Sequence, residues 1–161
     1  MSQDVLICKH DFNLDKEYKS LCQRAPRSGA VVLFVGLVRD LYQDASTGDQ
    51  IDYIELQHYA GMTEALCQEI VEQARQQYQF EAARVVHRVG RINPSEQIVL
   101  VGVASQHRRN AFAAAQFIMD YLKTRATIWK KEVGSRGDHW VGLNDQDNAA
   151  AKRWSSSAET E

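Results

Sequence analysis

The sequence is poor in the residues that stabilise small domains through covalent links or metal ions. Its three cysteines, Cys8, Cys22 and Cys67, are scattered along 161 residues. No C-x-x-C pair and no cysteine–histidine spacing of a zinc site is present, so neither a disulfide framework nor a metal site is predicted. A chain of this length can bury about 70% of its unfolded surface, so a hydrophobic core alone is sufficient for stability.

Long hydrophobic runs and an excess of positive charge are absent as well. The N-terminal segment MSQDVLICKHDFN contains one short apolar run, which predicts neither a signal peptide nor a membrane span. Lys and Arg number 19 against 21 Asp and Glu, and the resulting net charge of −2 argues against a general nucleic-acid binder. We therefore expect a cytoplasmic protein in which any basic site is local.

Apolar periodicity predicts helices separated by pairs of strands. This order favours an α+β fold with a mixed or antiparallel sheet over strict alternation of strands and helices. A single domain is expected over 1–143, followed over 144–161 by a polar tail that is at best partly ordered. Predicted strands span 29–38, 51–59, 83–92, 97–105, 126–133 and 139–143, predicted helices span 15–24, 61–79 and 105–125, and a polar loop spans 39–50.

The start of the last predicted helix concentrates positive charge where it is electrostatically unfavourable. Ser105 is placed to cap this helix, and His107, Arg108 and Arg109 follow with no acid in the first turn. Each cation there costs roughly 0.3–1 kcal/mol against the helix dipole. Free backbone amides together with Arg and His side chains form a seat for phosphate or carboxylate, so an anion site is predicted. Pairing with acids elsewhere in the fold remains the alternative.

The other end of the same helix brings a second group of cations. Lys123 lies in the last turn, where the dipole favours a cation, so an ordinary charged surface is the simpler interpretation. The β-branched residues beyond it predict that the helix stops and that Lys130 lies on a strand. On that strand Ile128 and Lys130 share one face, while Trp129 and Lys131 share the other. A chain reversal there can bring the ammonium groups of Lys123 and Lys130 together.

Two strand positions are open to a functional or a structural interpretation. Arg39 ends an otherwise apolar strand, where an active residue and a simple solvent-exposed cation are about equally expected. His87 and Arg88 alternate within another strand, so one of them can face inward. For His87 we favour a satisfied histidine of the core or of an interface.

Six segments, taken together and in order, carry a resemblance to a known family. GAVVLFVGLVRD, HYAGMTE, VVHRVGRI, VGVASQHR, FIMDYLKTRATIWKKE and GDHWV resemble the large, catalytic subunit of molybdopterin synthase. The resemblance runs from about residue 7 to residue 154. It implies an α+β fold of the α/β-hammerhead type with an additional antiparallel β subdomain, in which two main helices pack on a mixed or antiparallel sheet.

The same resemblance implies an enzyme of molybdenum cofactor biosynthesis. Such enzymes convert cyclic pyranopterin monophosphate into molybdopterin by installing two sulfurs as a dithiolene. The sulfur donor is the thiocarboxylate at the Gly-Gly C-terminus of a small ubiquitin-like subunit, and two large subunits form the central dimer of a heterotetramer. No cofactor, metal, nucleic acid or membrane is implied, since molybdenum is inserted later by other proteins. We conjecture that the tail covers the pocket when the small subunit is absent.

By resemblance, Lys123 in DYLKTRA matches the family's essential lysine, and Lys130 in WKKE matches a second active-site lysine. We expect Lys123 to act as acid, base or nucleophile and Lys130 to position or protonate. The chain departs from many relatives at Leu37, where a lysine is common, and at Thr127, where a proline is common. The resemblance assigns to the substrate Leu37, Val38, Arg39, His107, Arg108, Lys123, Lys130, Lys131 and Glu132.

Two other classes of function remain open from the residues alone. A cysteine-persulfide sulfurtransferase would need one of the three cysteines in an exposed, electropositive setting. A non-enzymatic anion- or RNA-binding module would need aromatic residues interleaved with the cations, and only Trp129 stands beside Lys130.

Overall fold

Four helices and eight strands make up the computed structural model, which describes residues 4–39, 50–142 and 145–155. Most of the polar loop predicted over 39–50 lies outside the described residues. Among the described helices, none is long and apolar enough to cross a membrane. The helices are α1 (Leu14–Arg24), α2 (Met62–Tyr78), α3 (Arg108–Arg125) and α4 (Asp145–Ser155). The strands are β1 (Val5–Cys8), β2 (Ala30–Leu37), β3 (Ile51–His58), β4 (Ala82–Arg88), β5 (Gly90–Ile92), β6 (Gln97–Ser105), β7 (Ile128–Gly134) and β8 (Gly137–Val141).

The strands form two four-stranded sheets. The first sheet has the order β1-β4-β6-β2 and is mixed, because β1 and β4 are parallel while the other neighbours are antiparallel. The second sheet, in the order β5-β3-β7-β8, is antiparallel throughout. Helices α2 and α3 pack on the first sheet. The predicted fold class, a mixed sheet carrying two main helices with an additional antiparallel subdomain, is confirmed.

The main core lies between the first sheet and helices α2 and α3. Ile70 and Val71 of α2, Val101 of β6 and Ile118 of α3 are fully buried there. Burying a side chain of this size stabilises a fold by about 1.5–3 kcal/mol. Ala111, also fully buried, is small enough to let the first turn of α3 approach the sheet closely. Packing in this core therefore determines the position of the C-terminal end of α3 beside the second sheet.

The last long helix begins three residues later than predicted, at position 108 instead of 105. Ser105 is the final residue of β6 and pairs with Ala30 of β2, while its carbonyl accepts the Gly29 amide at 3.0 Å. Strand pairing therefore holds Ser105, and its buried hydroxyl has no hydrogen-bond partner in the described part of the chain. His107 takes the N-cap position in an extended conformation and makes no side-chain cap. The prediction that Ser105 caps the helix is wrong.

The segment 83–92, predicted as one strand, is divided between the two sheets. β4 ends at Arg88 in the first sheet, and β5 begins at Gly90 in the second. Only Val89 lies between them, and its amide donates to the Cys8 carbonyl at 2.9 Å. Gly90 has a φ of 81°, a left-handed conformation that glycine adopts without the steric cost other residues incur. This residue redirects the chain, so the single predicted strand is shared between two sheets.

The polar tail contains a helix that packs against α3. Two acids stand in the first turn of α4 and two cations in its last turn, the order of charge that a helix dipole favours. The Trp154 indole N–H donates to Asp120 of α3 at 2.8 Å, and its ring packs edge-on against Tyr78 and Phe117. These contacts order residues 145–155 more than the sequence predicts. The domain boundary at residue 143 stays a prediction.

Candidate active site

A cavity of about 1120 Å³ opens where the two sheets meet the C-terminal end of α3. Strands β2, β3, β4 and β7 and the first turn of α4 all contribute to its lining. Apolar side chains such as Ile54 and Leu56 form its walls, and Arg39, Lys123 and Lys130 bring positive charge to it. An apolar cavity with a few convergent polar groups is the usual form of a small-molecule site.

Lys123 reaches the cavity from the last turn of α3. Its side chain is 54% exposed, and its ammonium nitrogen lies 3.8 Å from a carboxylate oxygen of Asp147 in α4. Asp147 also lines the cavity, so its carboxylate stands where an anionic ligand would meet Lys123. The helix in the tail therefore contributes an acid to the site.

Lys130, Glu132 and His139 form a chain of ionisable groups on the second sheet. Glu132 stands two residues after Lys130 on β7 and directly opposite His139 on β8. One Glu132 carboxylate oxygen lies 3.1 Å from Lys130 Nζ, and the other lies 3.1 Å from His139 Nε2. Because the Glu132 side chain is largely buried, it holds Lys130 in a defined place at the cavity wall.

Lys131 lies on the opposite face of β7 from the cavity. Its ammonium nitrogen is 3.6 Å from Glu55 and 3.5 Å from Asp138, and 5.8 Å from the centroid of the Trp140 ring. The alternation predicted along this strand is confirmed by its pairing with β3 and β8. The structure therefore does not bring Lys131 together with Lys130 in the cavity.

The end of β2 provides one wall of the cavity. Leu37, Val38 and Arg39 all line it. Val38 is buried; its amide donates to the Glu96 carbonyl at 2.9 Å, and its carbonyl accepts the Ser95 amide at 2.8 Å. Leu37 offers no charge to an anion, so Arg39 supplies the positive charge of this wall.

The anion seat predicted at the start of α3 lies far from this cavity. His107, Arg108 and Arg109 are exposed, and none of them lines it. The helix rises about 1.5 Å per residue, so the 15 residues from Arg108 to Lys123 place their backbones roughly 22 Å apart. Within one chain, the cations at the two ends of α3 therefore belong to two separate places.

His87, interpreted from the sequence as a structural histidine, lines the cavity from the end of β4. Its Nδ1 lies 2.8 Å from the Arg88 carbonyl oxygen. Burial, with smaller contributions from the charges of His58 and Lys123, lowers the pKa of His87 to about 4. The sequence does contain one signal for this position. Side chains alternate along a strand, so His87 lies on the same face of β4 as Val85, which points toward the helices.

The three cysteines stay outside the cavity lining. Cys67 is fully buried, and burial raises the pKa of its thiol to about 12. Burial also raises the pKa of the Cys8 thiol. A persulfide mechanism needs an accessible, readily ionised thiol beside the substrate, so that alternative is disfavoured.

Metal and nucleic-acid sites gain little support from the described residues. Across 4–39, 50–142 and 145–155, no group of three or more His, Cys, Asp or Glu side chains could hold a metal ion. Trp129, the aromatic residue beside Lys130, packs edge-on against Tyr59 with ring centroids 4.9 Å apart. This pair does not form the row of stacking platforms that a single-stranded nucleic acid would use.

Fold and site together define an α+β protein whose lysine-lined cavity suits a small anionic substrate. A family model described as MoaE protein matches residues 7–125. The molybdopterin synthase catalytic subunit of Vibrio cholerae is 46% identical over 154 residues, covering 96% of this chain and 99% of that protein. A solved structure of the molybdopterin biosynthesis MoaE protein from Burkholderia ambifaria has a TM-score of 0.81 and 41% identity, over 96% of this chain and 99% of its own. The chain therefore belongs to the MoaE protein family, which includes the catalytic subunits of molybdopterin synthase.

A more distant structure supports the fold alone. It is described as a complex of subunits 1 and 2 of molybdopterin-converting factor from Helicobacter pylori. Its TM-score is 0.70 at 17% identity, over 85% of this chain and 89% of its own. The resemblance drawn from the six sequence segments is confirmed by the family match.

Proposed function

We propose that this chain transfers sulfur to cyclic pyranopterin monophosphate and so forms the dithiolene of molybdopterin. The observation that carries the proposal is the convergence of Lys123, Lys130 and Arg39 on one cavity from α3, from β7 and from the segment that follows β2. The substrate carries a phosphate and the sulfur donor a thiocarboxylate, so both reactants are anions. Several cations in a partly desolvated cavity hold two anions together and stabilise charge that develops between them.

The size of the cavity supports a site for two reactants. Its volume of about 1120 Å³ exceeds the range of about 300–1,000 Å³ that is usual for a single small ligand. That volume leaves room for a pterin and for the extended end of a peptide. We infer that the thiocarboxylate terminus of a small ubiquitin-like subunit enters here.

The two lysines have different surroundings, which suggests different roles. Lys123 is half-exposed and meets Asp147 only at 3.8 Å, so its ammonium is free to move toward a substrate. We assign to it the principal role as acid, base or nucleophile. Lys130 is held at 3.1 Å by Glu132, so it positions or protonates the substrate from a fixed point. Arg39 clamps the phosphate.

A second copy of the chain would supply the remaining predicted anchors. His107 and Arg108 lie about 22 Å along α3 from Lys123, so they reach no substrate in their own cavity. We propose that a dimer of large subunits brings these exposed cations to the neighbouring cavity, with one small subunit on each side.

The reaction as proposed needs no resident cofactor or metal, because the sulfur and the pterin both arrive as substrates. Molybdenum would be inserted afterwards by other proteins. The cysteines are free thiols, which suits the reducing conditions of the cytoplasm. We therefore propose a cytoplasmic reaction.

The test combines the purified chain with a thiocarboxylated small subunit and cyclic pyranopterin monophosphate. Lys123→Ala is compared with wild type and with Lys19→Ala, a control that removes a lysine whose side chain is 67% exposed on α1. Dithiolene product is expected from wild type and from the control but not from Lys123→Ala, which should still fold and bind the small subunit. Undiminished product from Lys123→Ala would move the chemistry to Lys130. Absence of product from wild type with the partner bound would reject the proposed function.

A further inference from the structure

The ring of His87 lies at a junction of three elements around the cavity. It stands at the end of β4, opposite Val99 of β6, which also lines the cavity. The charged and titratable groups that act on it are His58 of β3 and Lys123 of α3, together with the carbonyl of its own neighbour Arg88. Of these groups, Lys123 shares the cavity lining with it.

The contact with the backbone determines which ring nitrogen carries the proton. A carbonyl oxygen only accepts hydrogen bonds, so the His87 Nδ1 that lies 2.8 Å from the Arg88 oxygen must be the donor. In a neutral imidazole the other nitrogen, Nε2, is then an acceptor with a free lone pair. The tautomer therefore follows from the backbone of β4.

The ring stays uncharged at neutral pH. Burial lowers the pKa of His87 to about 4, and the electrostatic contributions of His58 and Lys123 act in the same direction. A neutral ring keeps its Nε2 lone pair, while a charged one would lose it and add a further cation. The cavity thus contains an acceptor that does not cancel the positive charge an anionic substrate needs.

Lys123 has unused capacity to donate a hydrogen bond. Its ammonium group carries three donors. The carboxylate oxygen of Asp147 lies 3.8 Å away, which is longer than a direct hydrogen bond. Asp147 therefore attracts the ammonium without fixing its orientation. An anion that entered the cavity would compete for the same charge and separate Lys123 from Asp147, its ion-pair partner among the described residues.

We propose that His87 is a positioning residue for Lys123: its Nε2 accepts a hydrogen bond from the Lys123 amine and aims that group into the cavity when substrate displaces Asp147. The acceptor is neutral, so it orients Lys123 while leaving its charge available. The kinetic part of this inference rests on the proposed function, whereas the tautomer and the coupling between the two residues do not.

The first experiment measures the ring directly by nitrogen-15 NMR of the histidine-labelled chain. The sequence has five histidines, and the His87 signals are assigned by their loss in His87→Gln. We expect a neutral ring protonated at Nδ1 at pH 7, and a His87 titration midpoint that rises in Lys123→Gln and stays unchanged in Lys19→Gln. A ring protonated at Nε2, or a midpoint that does not respond to Lys123→Gln, would overturn the proposal even if the protein is active.

The second experiment compares sulfur transfer by His87→Leu, which has no acceptor, with His87→Gln, whose amide oxygen can replace Nε2. The exposed His10→Gln is the control. We expect kcat to fall about 100-fold in His87→Leu, the cost of a misplaced catalytic group, with little change in KM and substantial recovery in His87→Gln. Equal losses of kcat in both variants would overturn the positioning role. If His87→Leu does not fold, the NMR experiment alone tests the proposal. Inactivity of wild type would count against the proposed function and leave the NMR result standing.

Discussion

Replacing Asp147 with Asn is expected to strengthen the binding of anions to the cavity. The carboxylate lies 3.8 Å from the Lys123 ammonium nitrogen in the cavity lining, so it partly neutralises the charge that an incoming anion needs. Asn keeps the size and polarity of the side chain and removes only the charge. An anion then meets Lys123 without first displacing an acid.

The size of the effect follows from the exposure of the pair. The Lys123 side chain is 54% exposed and that of Asp147 is 26% exposed, so water screens their attraction to about 0.2–1 kcal/mol. Removing this competition lowers the dissociation constant of an anion by about 1.4- to 5-fold, because each 1.4 kcal/mol corresponds to a factor of ten. Added salt should reduce the difference, since mobile ions screen exposed charges.

The assay is a calorimetric titration of the chain with inorganic phosphate at low and at physiological ionic strength. Asp145→Asn is the matched control, because it makes the same charge change in the same helical turn without lining the cavity. We expect the gain in affinity in Asp147→Asn only, and its loss when Lys123→Gln is added. An equal gain in the control would show an effect of net charge alone, and no gain in Asp147→Asn would refute the role of the ion pair.

The core, the cavity histidine and the thiols each support one more expectation. Ile118→Ala empties a fully buried position and should lower the free energy of unfolding in urea by about 2–5 kcal/mol; a loss below 1 kcal/mol would contradict the packing described. The pKa of His87 is about 4 folded against 6.5 for a free histidine, so the unfolded state binds more protons between these values. The free energy of unfolding should therefore fall by up to ~3 kcal/mol as pH drops from 6.5 to 4. In His87→Gln, which lacks the titrating ring, the urea concentration at the unfolding midpoint should depend less on pH. A chain with Cys8→Ser, Cys22→Ser and Cys67→Ala should retain sulfur transfer, and a folded but inactive variant would revive the persulfide alternative.

Elements governed by local pattern could be predicted from the sequence. β6 spans 97–105 as predicted, because a continuous apolar run leaves one interpretation for a strand covered on both faces. Boundaries set by distant pairing could not be predicted. Ser105 has the chemistry of a helix cap, but its place is determined by Ala30 on another strand. The division at Gly90 likewise depends on a second sheet whose position no local pattern reveals.

The candidate site divides in the same way. Lys123, Lys130 and Arg39 could be named from the sequence through the family resemblance, which local pattern alone left undecided, and the structure places them around one cavity. His87 and Asp147 could not, since each joins the site only through the packing of its whole element against others. The opposite case is His107, whose chemistry suits an anion but whose place at the far end of α3 is settled by helix length.

At Gly90 the chain passes from the first sheet to the second, so this residue affects the shape of the cavity without contributing a side chain to it. On one side the chain carries His87 in the first sheet, and on the other it pairs with β3, whose Ile54 and Leu56 form the opposite wall. A Cβ at Gly90 would meet no atom within 4 Å, so a substitution there acts on the backbone torsion alone, at a cost of about 1–2 kcal/mol. The direction in which the chain passes from one wall to the other is therefore set by a backbone torsion at a residue outside the cavity lining. A change in this torsion can alter the shape of the cavity, and with it the range of substrates, while every residue that lines the cavity stays the same.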